Sequence, residues 1–301
     1  MPELPFGLCS KVLLGLLAFF LQVACNQLEP LNLPSESAEP AEEAGPVSVV
    51  ETVTRQNWQV PLNTGRDALE WRLRAIDSAV GSLDLQTFLW LDDTVGNLFK
   101  ERILKAADRG VKVRILIDDS FLAGQDQSSL RLAAHPNISY KVYNPYGRRS
   151  NTTVSRTVLN LGEFSRLDHR MHNKLMVADG HVAIIGGRNL ADEYFGMDPK
   201  ANFRDMELLV GGPIISELEA SFDAYWNDRW AFPIEKLTRL QTQNVSPNEF
   251  AAKAKSASED FPSEPASKQQ KRMADHSKRK LSWSCASTCR RASKGSSRGY
   301  C

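Results

Sequence analysis

The residue types best suited to phosphate chemistry gather in one stretch, Met171-His172-Asn173-Lys174-Leu175-Met176-Val177-Ala178-Asp179, followed by Gly186-Gly187-Arg188-Asn189. His172 and Lys174 stand two apart, with Lys174 opening a predicted strand, so period-2 alternation turns both toward one ligand. A neutral imidazole is a nucleophile at neutral pH without an activating metal. An ammonium and the Asn189 amide can stabilise charge on the equatorial oxygens of a phosphate under attack. Gly186 and Gly187 end the next predicted strand, where backbone without side chains lets an anion approach its N–H groups. No acid in this cluster would repel the phosphate. Asp179 falls in the Asp179-Gly180 turn between the two strands, where an architectural role stands beside a chemical one.

These residues need a frame, and the hydropathy pattern supplies one. Asp67 to Val80 repeats apolar residues at helical spacing, Leu83 to Trp90 reads as a strand, and Val95 to Arg109 reads as a helix closed by Gly110. Val111 to Ile117 is a buried strand ending in Asp118-Asp119, and Ile138 to Tyr143 is another strand. Lys174 to Ala178, Val182 to Ile185 and Met206 to Val210 follow as strands, and Ile214 to Trp226 as a helix. Alternating elements of this kind imply an α/β sandwich around a mixed, partly parallel sheet flanked by helices. Sites in such sheets gather at the carboxyl ends of strands, where Asp118 and Asp119 fall. A plain strand end explains those two acids equally well.

The motif His-x-Lys-x4-Asp-x6-Gly-Gly-x-Asn resembles the signature of the phospholipase D superfamily. With six fixed positions at about one in twenty each, chance gives it on the order of 10⁻⁸ per starting point. The resemblance extends to Leu83 through Trp90, Ala106 through Val111, Asn189 through Phe195, Phe203-Arg204-Asp205 and Tyr225-Trp226-Asn227, all similar to the first half of bacterial cardiolipin synthase-like proteins. It implies a phospholipase D-like sandwich, one half of the usual two-lobed arrangement. It also implies His172 as the nucleophile that forms a phosphohistidine intermediate, with Lys174, Asp179 and Asn189 catalytic and no metal or other cofactor. By position Asp205 resembles the acid that orients the histidine ring, while Glu193 and Tyr194 line the pocket with Gly186 and Gly187. Two-motif relatives use a second histidine to protonate the leaving alcohol. Here His276 has Lys278 two places on, but Trp283 stands at the Asp position and no Gly-Gly-x-Asn follows.

The flanks differ from this body. Val12 to Ala24 is a thirteen-residue stretch whose only polar residue is Gln22, too short for the roughly 20 residues that span a bilayer. It runs into Cys25, so residues 1–24 are expected as a lipoprotein signal and Cys25 as the lipidated terminus; a cleaved secretory signal and an uncleaved anchor are the plainer readings. Residues 25–55, rich in Pro, Glu, Ala and Ser, are expected as a disordered tether, 56–240 as the phospholipase D-like domain and 241–301 as a basic low-complexity tail. The other cysteines lie at 9, 285, 289 and 301, which leaves the body with no thiol nucleophile, zinc knuckle or disulfide framework. Residues 251–301 carry 12 Lys/Arg against 4 Asp/Glu, while the preceding 250 carry 25 against 32, so the chain's net +1 averages a basic tail with an acidic body. Such a tail reads either as an anionic-lipid binder or as the product of a truncated or frame-shifted gene.

Over 301 residues, 42% apolar and 24% charged, this composition excludes a wholly disordered chain, a coiled coil and a multi-span membrane protein. The leading expectation is a phospholipase D or phosphatidyltransferase in the bacterial cell envelope, on the periplasmic side and attached to the membrane. It would act on phospholipid, with a homodimer supplying the second histidine. A dimeric single-motif phosphodiesterase or nuclease is the alternative, and the acidic body argues against nucleic acid. The third reading is a catalytically incomplete half domain.

Overall fold

The computed structural model describes residues 28–37 and 56–237. The expected signal at residues 1–24, the Cys25 lipidation site, most of the expected tether and the whole of the basic tail lie outside these. Eight strands form one sheet: β1 (Trp58–Leu62), β2 (Ser82–Thr87), β3 (Lys112–Asp118), β4 (Ile138–Tyr143), β5 (Leu175–Ala178), β6 (Val182–Gly186), β7 (Glu207–Gly211) and β8 (Ala231–Pro233). Their order is β1-β7-β6-β5-β2-β3-β4-β8. Strands β2, β3 and β4 run parallel; every other neighbouring pair is antiparallel. The expected mixed, partly parallel sheet flanked by helices is what the chain forms.

Helices α1 (Gly65–Ser78) and α2 (Thr94–Asp108) cover one face of the sheet, and α7 (Ile214–Trp226) covers the other. Between them in sequence lie α3 (Asp126–Ala133), α4 (Thr153–Leu159), α5 (Phe164–Leu167) and α6 (Asp192–Phe195), with α8 (Ile234–Leu237) after β8. Local chemistry sets the main helix ends. The Thr64 hydroxyl accepts from Asp67 N at 3.0 Å to open α1, and the Asp93 carboxylate accepts from Gly96 N at 2.8 Å to open α2. Gly110, with φ of 101°, takes the left-handed turn after α2. Alternation divides β3 between two cores. Val113, Ile115 and Ile117 join the larger cluster with α1 and α2, while Leu116 joins Phe222 and Trp226 of α7. On the α7 face Arg114 forks onto Asp84 with two bonds of 2.7 Å and stacks over Phe222.

Because β5 and β7 run against β2, β3 and β6, one edge of the fold collects the carboxyl ends of β2, β3 and β6 with the starts of β5 and β7. That edge holds the motif. Strands β1 and β8 did not stand out in the sequence because Pro61 and Pro233 interrupt them; both are outermost, where a missing N–H costs little. Residues 28–37, expected within a disordered tether, instead lie along the body. Leu28 N donates to Glu163 Oε2 at 3.3 Å, Leu31 N to Arg229 O at 2.8 Å, and Trp226 Nε1 to Glu36 Oε2 at 2.9 Å.

Candidate active site

His172 and Lys174 lie in the extended segment just before β5, and both pack on Phe88, which follows β2. The His172 and Phe88 ring centroids are 4.7 Å apart, and Lys174 Nζ lies 5.2 Å from the same ring centre. Lys174 Nζ also donates to the His172 carbonyl at 2.6 Å, which fixes one residue on the other. His172 is exposed while Lys174 is 5% exposed, so the imidazole faces solvent over a shielded ammonium. Desolvation and then the Lys174 charge hold the His172 pKa below its usual 6.5. Desolvation lowers Lys174 to about 8, opposed by the charges of Asp205 and Asp118. The pair therefore presents a neutral imidazole and a readily discharged cation near neutral pH.

Asp118 is fully buried at the end of β3 and sets the backbone ahead of His172. Its carboxylate accepts from Met171 N at 3.0 Å, Ser120 N at 2.8 Å and Arg170 Nη1 at 3.3 Å. It is also the carboxylate whose charge acts on His172. Asp119 is buried too but turns to Arg149, Arg156 and Tyr146 N, tying down the loop after β4. So of the two strand-end acids, one serves the site and the other serves the frame.

Several expected roles change. Asp205 accepts from Met206 N at 2.7 Å and presses on Gly187, and its charge acts on Lys174. Among the described residues no hydrogen bond joins it to the His172 ring. Gly186 and Gly187 do not offer open backbone to an anion. A Cβ on Gly186 would stand 2.5 Å from Met206 O, and one on Gly187 would stand 2.3 Å from Asp205 Oδ2. Their N–H groups go to Lys174 O and Met206 O at 3.4 Å. The glycines are needed because the start of β7 packs directly over them. Outside the motif itself, the charges of Asp118 and Asp205 act on His172 and Lys174.

Asn189 is 4% exposed and spends its amide on the frame, accepting from Leu89 N at 3.2 Å and donating to Tyr194 Oη at 2.8 Å. It links the end of β2 to α6. Glu193 sits on α6 beside Tyr194, where its carbonyl accepts from Phe203 N at 2.8 Å. Asp179 is not brought to the cluster. It lies beyond the far end of β5, with φ of 53°, and its carboxylate accepts from Val80 N, Gly81 N and Ser82 N, the Gly81 bond at 2.7 Å. It therefore closes the turn between α1 and β2. Asp179→Ala should cost about 2–4 kcal/mol in chemical denaturation, since three N–H groups lose a buried charged acceptor. Activity per folded molecule should stay near that of the parent chain; a selective loss of turnover at full stability would overturn this role.

Arg188, in the variable slot of the motif, was not singled out by sequence reasoning. It is 2% exposed and bonds Leu62 O at 3.1 Å, Tyr194 O at 3.2 Å and the Asp205 carbonyl, joining β1, α6 and the start of β7 behind the site. Phe88 lay unmarked within the predicted strand. Its position one residue past β2, ahead of the Trp90–Leu190 bridge, is what turns it to the motif.

A family model described as "Cardiolipin synthase, PLD-like domain" matches residues 73–226. The chain belongs to this family of phospholipase D-like domains. It is 36% identical to cardiolipin synthase C of Escherichia coli K12 over 177 residues, covering 59% of this chain and 37% of that protein. It is 30% identical to cardiolipin synthase A of Pseudomonas putida W619 over 175 residues, 56% of this chain and 34% of the relative. The chain thus spans little more than a third of the curated relatives it matches. Among solved structures, NucT from Helicobacter pylori aligns with a TM-score of 0.43 at 18% identity, covering 59% of this chain and 98% of that one. A phosphatidylserine synthase from Haemophilus influenzae aligns at 0.43 and 14%, covering 72% and 48%.

Proposed function

We propose that the chain is a phosphatidyltransferase or phospholipase D acting on membrane phospholipid through a phosphohistidine, on the envelope side of a bacterial membrane. The observation that carries this reading is the His172–Lys174 pair on Phe88: a solvent-facing, uncharged imidazole over a shielded ammonium. His172 attacks phosphorus, so a P–N bond forms while the P–O bond to the first alcohol breaks. Lys174 offsets the charge on the phosphoryl oxygens. A second alcohol or water then attacks phosphorus, the P–N bond breaks, and the imidazole is regenerated.

The leaving alkoxide needs a proton. The other described histidines are committed elsewhere: His135 to Asp108, His169 to Ser165 O, and His181 to the β5–β6 turn. A second copy's His172, presented across a two-fold axis and protonated while the attacking ring is neutral, would donate it and then take the proton of the incoming alcohol or water. The names of the cardiolipin synthase relatives favour lipid over nucleic acid as substrate.

The test is turnover of phosphatidylglycerol in vesicles, followed by mass spectrometry, across a range of pH. Cardiolipin or phosphatidic acid should form. Activity should fall on the acid side below the ordinary histidine value of 6.5, where the attacking His172 gains its proton, and on the alkaline side as the partner's His172 loses its own, with loss of the Lys174 charge above about 8 adding to the fall. A folded dimer that turns over no phospholipid would leave the half-domain reading in its place.

A further inference from the structure

The segment from α4 to α5 is built inside out. Arg156, Asn160 and Glu163 face inward at 1%, 3% and 8% exposure. Val154, Val158, Leu161 and Phe164 face outward at 75%, 48%, 57% and 65%. The outward set recurs at intervals of four, three and three residues, one stripe along a helical path. Inside, Arg156 is held by Asp119 and Asp126, and Asn160 bonds Arg148 N and Arg148 O. The polar residues are thus fixed inward by specific bonds, and the apolar stripe cannot roll under without breaking them. Every exposed side chain between 151 and 165 is uncharged. A soluble surface rarely carries such a stripe without a partner.

The N-terminal segment says what that partner is. Leu28 is hydrogen-bonded to Glu163, immediately before Phe164, and a Cβ on Gly147 would meet Leu28 Cβ at 3.4 Å. The apolar stretch 12–24 and Cys25 come directly before Leu28 in the sequence. Three residues of chain reach about 10 Å at most. The residue expected to carry lipid is therefore joined to this element by no more than three residues of chain. We propose that Val154, Val158, Leu161 and Phe164 form a membrane-docking face that seats the body directly on the lipid surface beside its N-terminal attachment. This deepens, and rests on, the reading of the site as one that works on membrane phospholipid. The face inserts its apolar side chains at the headgroup boundary, as an interfacial helix does, and the body does not stand away on a long tether.

The test uses the full chain with p-benzoylphenylalanine in place of Val158 or Phe164, in vesicles of phosphatidylethanolamine and phosphatidylglycerol. Lys112, exposed at the opposite end of β3, is the control position. Irradiation should attach acyl chains at 158 and 164 and not at 112. Attachment to a second copy, to another part of the same chain, or to lipid equally at all three positions would overturn the proposal. As a second readout, Val158→Asp with Phe164→Asp should lower turnover of vesicle lipid about tenfold or more while sparing a monomeric short-chain phosphatidylglycerol. Equal loss on both substrates would count against docking. The cross-linking needs no activity, so failure of the lipid-enzyme reading shows separately, as an absence of turnover on either substrate.

Discussion

His172→Ala should abolish turnover, with a fall of about 10⁴-fold or more in kcat, because in the proposed reaction this side chain is the bond-forming nucleophile and no described residue stands ready to replace it. Folding should be unaffected: His172 is exposed, with its ring resting on Phe88. Two further measurements separate nucleophile from bystander. Acid-quenched parent enzyme given lipid labelled at phosphorus should carry label at residue 172 that is lost faster in acid than in base, and the variant should carry none. Mixing the two proteins, with subunits allowed to exchange, tests the shared site. If each reaction needs one His172 as nucleophile and the partner's as acid, an equal mixture should retain about a quarter of the parent activity, since only parent–parent dimers work. Retention of about half would mean that each subunit acts alone. The labelled adduct would then still identify the nucleophile, while the shared-acid step would be discarded.

The frame was readable where elements are long and one-sided. Strands β3 to β7 and helices α1, α2 and α7 stand within a few residues of their predicted bounds, because each buries one regular apolar stripe or a continuous apolar run. The misses have physical reasons. Proline masks β1 and β8, and α4 turns its polar residues inward, so its pattern argues against itself. At the site, the sequence points to which residues matter, and the structure reassigns what several of them do. The motif's glycines, Asn189 and Asp179 spend their groups on the protein's own frame, while the His172 ring faces outward over a buried Lys174. Fixed spacing in a sequence marks that a residue is constrained, and it does not separate touching a ligand from holding the strand beside it. Asp118 shows the converse. It lies 54 residues before His172, and only the shared sheet edge where β3 ends and β5 begins, on either side of β2, brings its carboxylate to Met171 N.

Glu207→Ala should be the most destabilising single change near the site, at about 3–5 kcal/mol. Glu207 opens β7 with no exposure and accepts both Arg72 Nε, at 3.2 Å, and Arg72 Nη2; Arg72 is 1% exposed. Removing the carboxylate strands a guanidinium that is 1% exposed in the sheet–helix interface. Against a total stability of about 5–15 kcal/mol for a domain, that is enough to populate unfolded chain at growth temperature. The loss should reach the site as well, because the Glu207 backbone lies over Gly186, and Asp205, two residues before it, presses on Gly187. Loosening the start of β7 moves the carboxylate that supports the charge on Lys174. Glu207→Gln, which keeps an acceptor of the same shape, should cost less than the alanine. Replacing both partners, Arg72→Met with Glu207→Leu, should recover much of the stability, since the apolar pair leaves no charge unpaired. Denaturation midpoints of the three variants decide it. If the double variant is no more stable than Glu207→Ala, packing around β7 sets the cost, and the ion pair does not.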